Sequence, residues 1–498
     1  MIGTVANKAL SWLDVEVIDE NNYRQSLRAP LDANGYPDHA ALQRERPATF
    51  IGLSCAMTNA MPRALELVRF YRQDSLVKGI FTGGRHVHNE PLEILGAGAD
   101  VVVHGEGEGV ISELLTAFSR GLDMSGIPGI SYKKESGIVR NDPAYLVNPN
   151  LDSLPHPDFG LVRYAKIKIF PVSRTRGCSG KCEFCCVNDS PRWISPERFL
   201  DQFRYLTSLG VRTFFIVDDR VEEDLEGARR FFSLLAEFSR EKKLRLDITV
   251  QIRLMAAKEE DFLKLMKTAG VTNVCIGYES PIVDELKAMH KPVNPKKMLE
   301  WTHKFKKAGF LIHAMMIFGY PVESRQSEET QMSARQLADL FWKFLKKAIR
   351  AGVDTLQILL PSPIVGTRLW TRLNNEGRLY DLGWEHHDGT KLLFRPDRGI
   401  DPKELQLEYI RLMRKFYAFN HLWPMKSVAL VVHLVRIAFL TVWLPFEYFY
   451  SGFHFWPWYN KWRNAIVHFG AHLIIWKWLD NFKKSKYIAK LRRTNQVH

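Results

Sequence analysis

Two successive runs of alternating strand-like and helix-like segments, divided by Leu154-Pro155-His156-Pro157, constrain this chain more than any other feature. Short β-rich stretches separated by amphipathic helices build βαβ units, whose strands lie parallel under covering helices. In the first run Asp14 to Asp19 and Thr49 to Ser54 read as strands, and Pro62 to Tyr71 as a helix. Gly79 to Thr82 with a Gly83-Gly84 turn, a short helix near Glu90 to Leu95, and Asp100 to His104 follow. Residues 1–160 are therefore expected to form an α/β domain on a doubly wound, Rossmann-like parallel sheet. Ligands of such sheets bind beyond the carboxyl ends of the strands, which singles out Ser54 to Asn59, Gly83 to His86 and Gly105 to Glu108. Ile2 to Leu13 already reads as a helix, so the sheet is one strand short at its start or lacks a strand.

The second run, residues 161–400, contains six strand-like segments: Ala165 to Val172, Thr213 to Val217, Asp247 to Gln251, Val274 to Tyr278, Leu311 to Phe318 and Thr355 to Leu360. Amphipathic helices such as Pro196 to Leu209 and Glu260 to Thr268 lie between them. Six βα units make a partial (β/α)6 TIM-type barrel, with its active site at the strand carboxyl ends. From Asp401 to the end, residues 401–498, the pattern becomes a helical tail.

Chemistry is concentrated in the cysteines, which sit at 55, 178, 182, 185, 186 and 275, four of them within nine residues. That clustering is wrong for a disulfide framework and suits a metal centre in a reducing compartment. With no basic, apolar leader after Met1, the expected location is cytoplasmic. Cys178, Cys182 and Cys185 can converge from one loop, and soft thiolates select iron-sulfur clusters or zinc. Structural zinc wants four ligands, and no second CxxC or HxxxH pair completes such a set. Cys186 reads as a packed thiol, and Cys55 and Cys275 as small hydrophobes in strands.

On Cys178, Cys182 and Cys185, with Phe184 before the third, the chain resembles the radical S-adenosylmethionine superfamily and its CxxxCxxC signature. Arg192 to Glu197, Phe215 to Asp219, Gly277 to Ser280 with His290-Lys291, Phe318 to Glu323 and Leu360 to Thr367 follow in that superfamily's order. The resemblance implies a 4Fe-4S cluster whose open iron is chelated by the amino and carboxylate groups of S-adenosylmethionine. One-electron reduction then releases a 5′-deoxyadenosyl radical that abstracts hydrogen from an unactivated carbon, the protein supplying orientation and exclusion of water. By position, Asp218 or Asp219 suits the amino group, Arg253 the carboxylate, and Glu279 with Ser280 the ribose or methionine moiety; each could equally be a loop hydrogen-bonder or helix cap. A flavodoxin- or ferredoxin-like electron donor is implied as a partner.

The N-terminal run resembles the cobalamin-binding domain often fused to these enzymes, through Gly83 to His86, His104 to Glu108 and Leu151 to Pro155. That implies cobalamin contacts from Ser54, Gly83, Gly84, Gly105 and Glu106. No DxHxxG motif offers a lower histidine ligand, so cobalt would be held without one; some relatives carry the domain without the cofactor. His86 and His104 are alternatives for polar contacts, or structural.

The tail supplies most of the net charge of +14, the first 420 residues keeping only +5. His421 to His498 holds 11 Lys and Arg against 2 Asp and Glu, hence +9, together with seven of the 13 Trp. Ser427 to Leu444 is 18 residues, roughly 27 Å as a helix. Its Arg436 makes spanning marginal, because a spanning helix wants about 20 apolar residues. Trp-rich Phe453 to Tyr459, amphipathic Trp462 to Phe482 and the Lys and Arg from Lys483 to Arg493 fit an anionic membrane surface better than a plain helical cap or a nucleic acid. The expectation is a peripheral enzyme on the inner face of the cell membrane that methylates or rearranges an apolar, lipid-like small molecule. Its rivals are a cobalamin-independent radical enzyme acting on a soluble metabolite and a non-catalytic iron-sulfur adaptor.

Overall fold

The computed structural model describes residues 1–23, 29–135, 137–141, 150–187, 189–291, 293–323 and 332–417, then 435, 437–438 and 466–482 without 472, 476 and 480. The N-terminal sheet takes its strands in spatial order β1 (Phe50–Ser54), β2 (Gly79–Gly83), β3 (Val101–Val103), β4 (Ile130–Lys134) and β5 (Gly137–Arg140). The first three are parallel and the last two antiparallel, and the order never reverses. Helices cover both faces of the sheet. Met61–Arg72 and Pro91–Ala97 pack on Ile51, Ile80 and Val102, while Ile2–Ala9 and Ile111–Arg120 share the opposite face with Phe50 and Phe81.

One expected strand does not join this sheet. Of Asp14 to Asp19 only Val17–Ile18 is extended, and it pairs in parallel with Val162–Arg163 at the entry to the second domain. The alternation there reflects Glu16, which binds Arg46 and Arg163 on the polar side, and not a place in a ladder.

The second domain is a six-stranded, wholly parallel sheet in sequential order: β6 (Phe170–Val172), β7 (Thr213–Ile216), β8 (Asp247–Gln251), β9 (Val271–Glu279), β10 (Leu311–Ile317) and β11 (Thr355–Leu359). β6 is shorter than expected, Ala165 to Ile169 lying outside it. β6 and β11 do not pair with each other, so the barrel is partial. Helix Pro402–Tyr417 closes the β11 side, where Tyr417 Oη donates to Leu356 O (2.7 Å) and accepts from Leu356 N (2.8 Å), blocking that edge. Between strands and helices lies an aromatic core that includes Phe199, Phe203, Phe214, Phe231 and Phe262.

Helix 466–482 packs on this side too. Ile475, Leu479 and Phe482 are buried in the barrel core, Trp478 meets Tyr409 edge-on at 5.9 Å, and His468 Nε2 lies 2.5 Å from Asp354 O, at the amino end of β11. Among the described residues no helix is long and apolar enough to cross a membrane; Ser427 to Leu444 lies almost wholly outside them.

Candidate active site

The cysteine loop leaves the carboxyl end of β6, the first barrel strand. Its ends are drawn together by antiparallel pairing of Thr175–Arg176 with Arg192–Trp193. Gly177 makes the turn at φ +84°, where a Cβ would meet Asp189 O and Ser190 O at 2.7 Å. From the end of β7, Asp218 Oδ1 accepts Ser173 Oγ (2.8 Å), Arg174 N (2.8 Å) and Thr175 N (3.0 Å), fixing the approach to Cys178. Burial raises the Asp218 pKa in spite of these donors.

The three cysteines are half-buried. Gly180 N donates to Cys178 Sγ (3.3 Å) and Val187 N to Cys185 Sγ (3.4 Å), hydrogen bonds that also tune cluster sulfurs. Burial raises all three thiol pKa values, Cys185 to about 11, a penalty that coordinated iron inverts. Among the described residues no three His, Cys, Asp or Glu could hold a single metal ion. That is zinc's requirement, whereas in a 4Fe-4S cube each thiolate meets its own iron. The donor set fits the cube.

Around the loop, the other strand ends carry the polar residues singled out by position. Asp219 is exposed, within electrostatic reach of Cys178 and Cys185. Arg253 Nε donates to the buried Glu222 Oε1 (2.8 Å), while Glu222 Oε2 has no hydrogen-bond partner among the described residues. Glu279 has a left-handed backbone (φ +58°) and an ion pair to Lys291 at 2.5 Å. Burial alone would lower the Lys291 pKa; Glu279 outweighs it and holds the ammonium charged. Ser280 and Asp218 face inward: Ser280 Oγ donates to the buried Glu285 Oε2 (2.5 Å) and accepts from Ile282 N (3.0 Å). Phe184 lies edge-on to Tyr320 at 6.2 Å.

From the N-terminal domain, the loops after β2 and β3 meet the barrel at the cysteine loop. Ser54 and Gly105 are exposed there. Gly84 has φ +122°, and a Cβ on it would sit 2.5 Å from Cys55 C and Ala56 N. Among the described residues, Thr82 Oγ1, His86 Nε2 and His104 Nδ1 are buried here without a hydrogen-bond partner, and burial lowers the pKa of His86 and takes that of His104 to about 4. Neutral imidazoles and an unmet hydroxyl suit an uncharged, hydrogen-bonding ligand surface, which fits cobalamin held without a DxHxxG histidine. Glu106 is engaged by the barrel: Arg176 donates to it at 2.7 Å, Arg192 also binds it, and Arg176 reaches Glu108 at 2.7 Å. Arg85 pairs with Asp189 just past the cysteine loop. From beyond the barrel Trp384 Nε1 donates to Glu93 Oε2 (2.9 Å), with its ring 4.9 Å from that of His86.

Several of these residues escape a reading of the sequence. Glu183, between two cysteines, accepts Tyr320 Oη (2.6 Å) and Arg372 Nε and Nη2 (2.7 and 3.0 Å), anchoring the loop from behind. Glu222 lies in the run Glu222-Glu223-Asp224, which has the look of a solvated acidic turn. Arg176 and Arg192 carry a signal only in hindsight, as bases flanking the cysteines.

Comparison with known proteins agrees with this geometry. Residues 172–334 match the radical SAM superfamily, residues 15–115 the B12 binding domain and residues 367–423 a domain of unknown function, DUF4070. An uncharacterized methyltransferase of Pyrococcus horikoshii is 28% identical over 418 residues, 78% of this chain and 82% of that protein. The hopanoid C-2 methylase of Rhodopseudomonas palustris is 26% identical over 231 residues, which cover 45% of this chain but only 41% of that enzyme. In fold the chain is similar to TsrM, a radical S-adenosylmethionine methyltransferase of Kitasatospora setae also solved with cobalamin and a 4Fe-4S cluster (TM-score 0.60, 17% identity, 75% of this chain and 73% of that one). It is also similar to OxsB, a cobalamin-dependent S-adenosylmethionine radical enzyme (TM-score 0.58, 14% identity, 91% and 76%). The chain carries a radical SAM domain with a B12 binding domain ahead of it, and is an enzyme whose cofactors are a 4Fe-4S cluster, S-adenosylmethionine and cobalamin.

Proposed function

We propose that this enzyme transfers a methyl group from S-adenosylmethionine to an unactivated carbon of an apolar, lipid-like substrate. The observation that carries the reading is the contact between the two domains at the cysteine loop: Arg85, after β2, pairs with Asp189, and Glu106 and Glu108, after β3, pair with Arg176 and Arg192. When bound, the cluster supplies an electron to S-adenosylmethionine and cobalamin carries the methyl group. The chain's own residues do the positioning. Asp218 and Glu183 hold the loop from two sides, and Glu222, Arg253, Glu279 and Lys291 present paired charges toward a zwitterionic ligand. A flavodoxin- or ferredoxin-like donor is the reductant that such a cluster needs.

The lipid-like substrate is supported by the aromatic, basic composition of 421–498 and by partial similarity to a hopanoid methylase. The test is anaerobic incubation of cluster-loaded, cobalamin-loaded enzyme with S-adenosylmethionine bearing a deuterated methyl group and a lipid extract. A labelled methyl group should enter the apolar fraction, and Cys182→Ala should abolish it. Label confined to water-soluble products would overturn the substrate class while leaving methyl transfer intact.

A further inference from the structure

We infer that the outward face of helix 466–482 is a docking surface for an anionic lipid bilayer. The helix carries two apolar faces. Ile475, Leu479 and Phe482 are buried against the barrel, Trp478 packs on Tyr409, and His468 bonds Asp354 O. On the other side Ile474 is 71% exposed, and Ile466, Val467 and Leu473 are exposed as well. Positions 466, 467, 470, 473, 474 and 477 fall on one stripe at helical spacing, which Lys477 extends with an exposed cation. Rolling the helix to hide this stripe would strip the inner face from the core.

Charge selects the cover. Beyond Phe482 the sequence supplies Lys483, Lys484, Lys486, Lys490, Arg492 and Arg493 without one acidic residue, and 421–498 carries +9. An apolar stripe bearing Lys477, in a segment whose sequence is rich in cations, is the chemistry that binds anionic headgroups while inserting side chains into the acyl boundary. A second copy would bring an equal positive charge against it. The attachment at the amino end of β11, opposite the cysteine loop, makes this surface a matter of location, independent of methyl transfer.

The experiment is flotation of the full chain with vesicles of phosphatidylcholine alone or mixed with phosphatidylglycerol. Wild type should float with the mixed vesicles and be released by salt. Leu473→Glu combined with Ile474→Glu should weaken partitioning by about tenfold or more, with iron content and melting temperature unchanged. Leu209→Glu, at an exposed apolar residue elsewhere on the barrel, should float as wild type does. Failure of the wild type to float, or equal flotation of the double variant, overturns the proposal. So does a double variant that melts earlier or changes oligomeric state, which would assign the stripe to another segment of this chain or to a second copy.

Discussion

Glu183 stands within the cysteine motif, yet its carboxylate points into protein, where Tyr320 and Arg372 hold both oxygens. Its backbone is held as well, with Glu183 N donating to Met289 O (3.2 Å) and Leu369 N donating to Glu183 O (3.1 Å). Removing one partner of a buried pair leaves the other charge unpaired. Glu183→Ala is expected to cost about 3 kcal/mol in urea unfolding of the iron-free protein, and to lower iron uptake with all three cysteines intact. The cysteines themselves were legible, because thiol chemistry depends on spacing along the chain. Glu183 was not, because its partners lie 137 and 189 residues away and a spacer position carries no signal. Asp218 was legible as a strand-end carboxylate, but the task the structure gives it, accepting the backbone N–H groups of Arg174 and Thr175, is not written in its neighbours.

At the scale of elements, the strand-to-helix turn after β2 shows what the glycine pair does. Gly84 leaves β2 at φ +122° and passes against the backbone of Cys55 and Ala56, at the end of β1. Gly84→Ala should destabilise the N-terminal domain by about 2 kcal/mol, through a disfavoured φ and a backbone clash. It should also reduce hydroxocobalamin uptake measured by visible absorption, since Gly84 adjoins the loop that meets the barrel at Asp189. Five of the six barrel strands were readable within a few residues, because strands buried on both faces leave compact apolar runs. The first was overextended: β6 pairs only with β7 through three residues, and alternation in Ala165 to Ile169 has no partner strand to meet. The same limit explains Asp14 to Asp19, where extended conformation was legible and sheet membership was not.

For the whole molecule, the joint between domains rests on charge. Glu106 and Glu108 make three ion pairs with Arg176 and Arg192, each partly exposed and worth about 1 kcal/mol. Replacing both glutamates by Ala should split one calorimetric transition into two and speed proteolysis near Leu154-Pro155, with little change in the melting of the barrel. No local pattern announces this joint, because its residues are 70 and 86 positions apart. Trp384 adds a further hold: the chain, having completed the barrel, returns to touch Glu93 and His86. The B12 domain is thus gripped both by the loop after the first barrel strand and by a segment beyond the last, and it is not an exchangeable cartridge. A graft of residues 1–160 from a distant relative would have to bring matching partners for positions 176, 192 and 384, so variation at these sites should travel together during divergence.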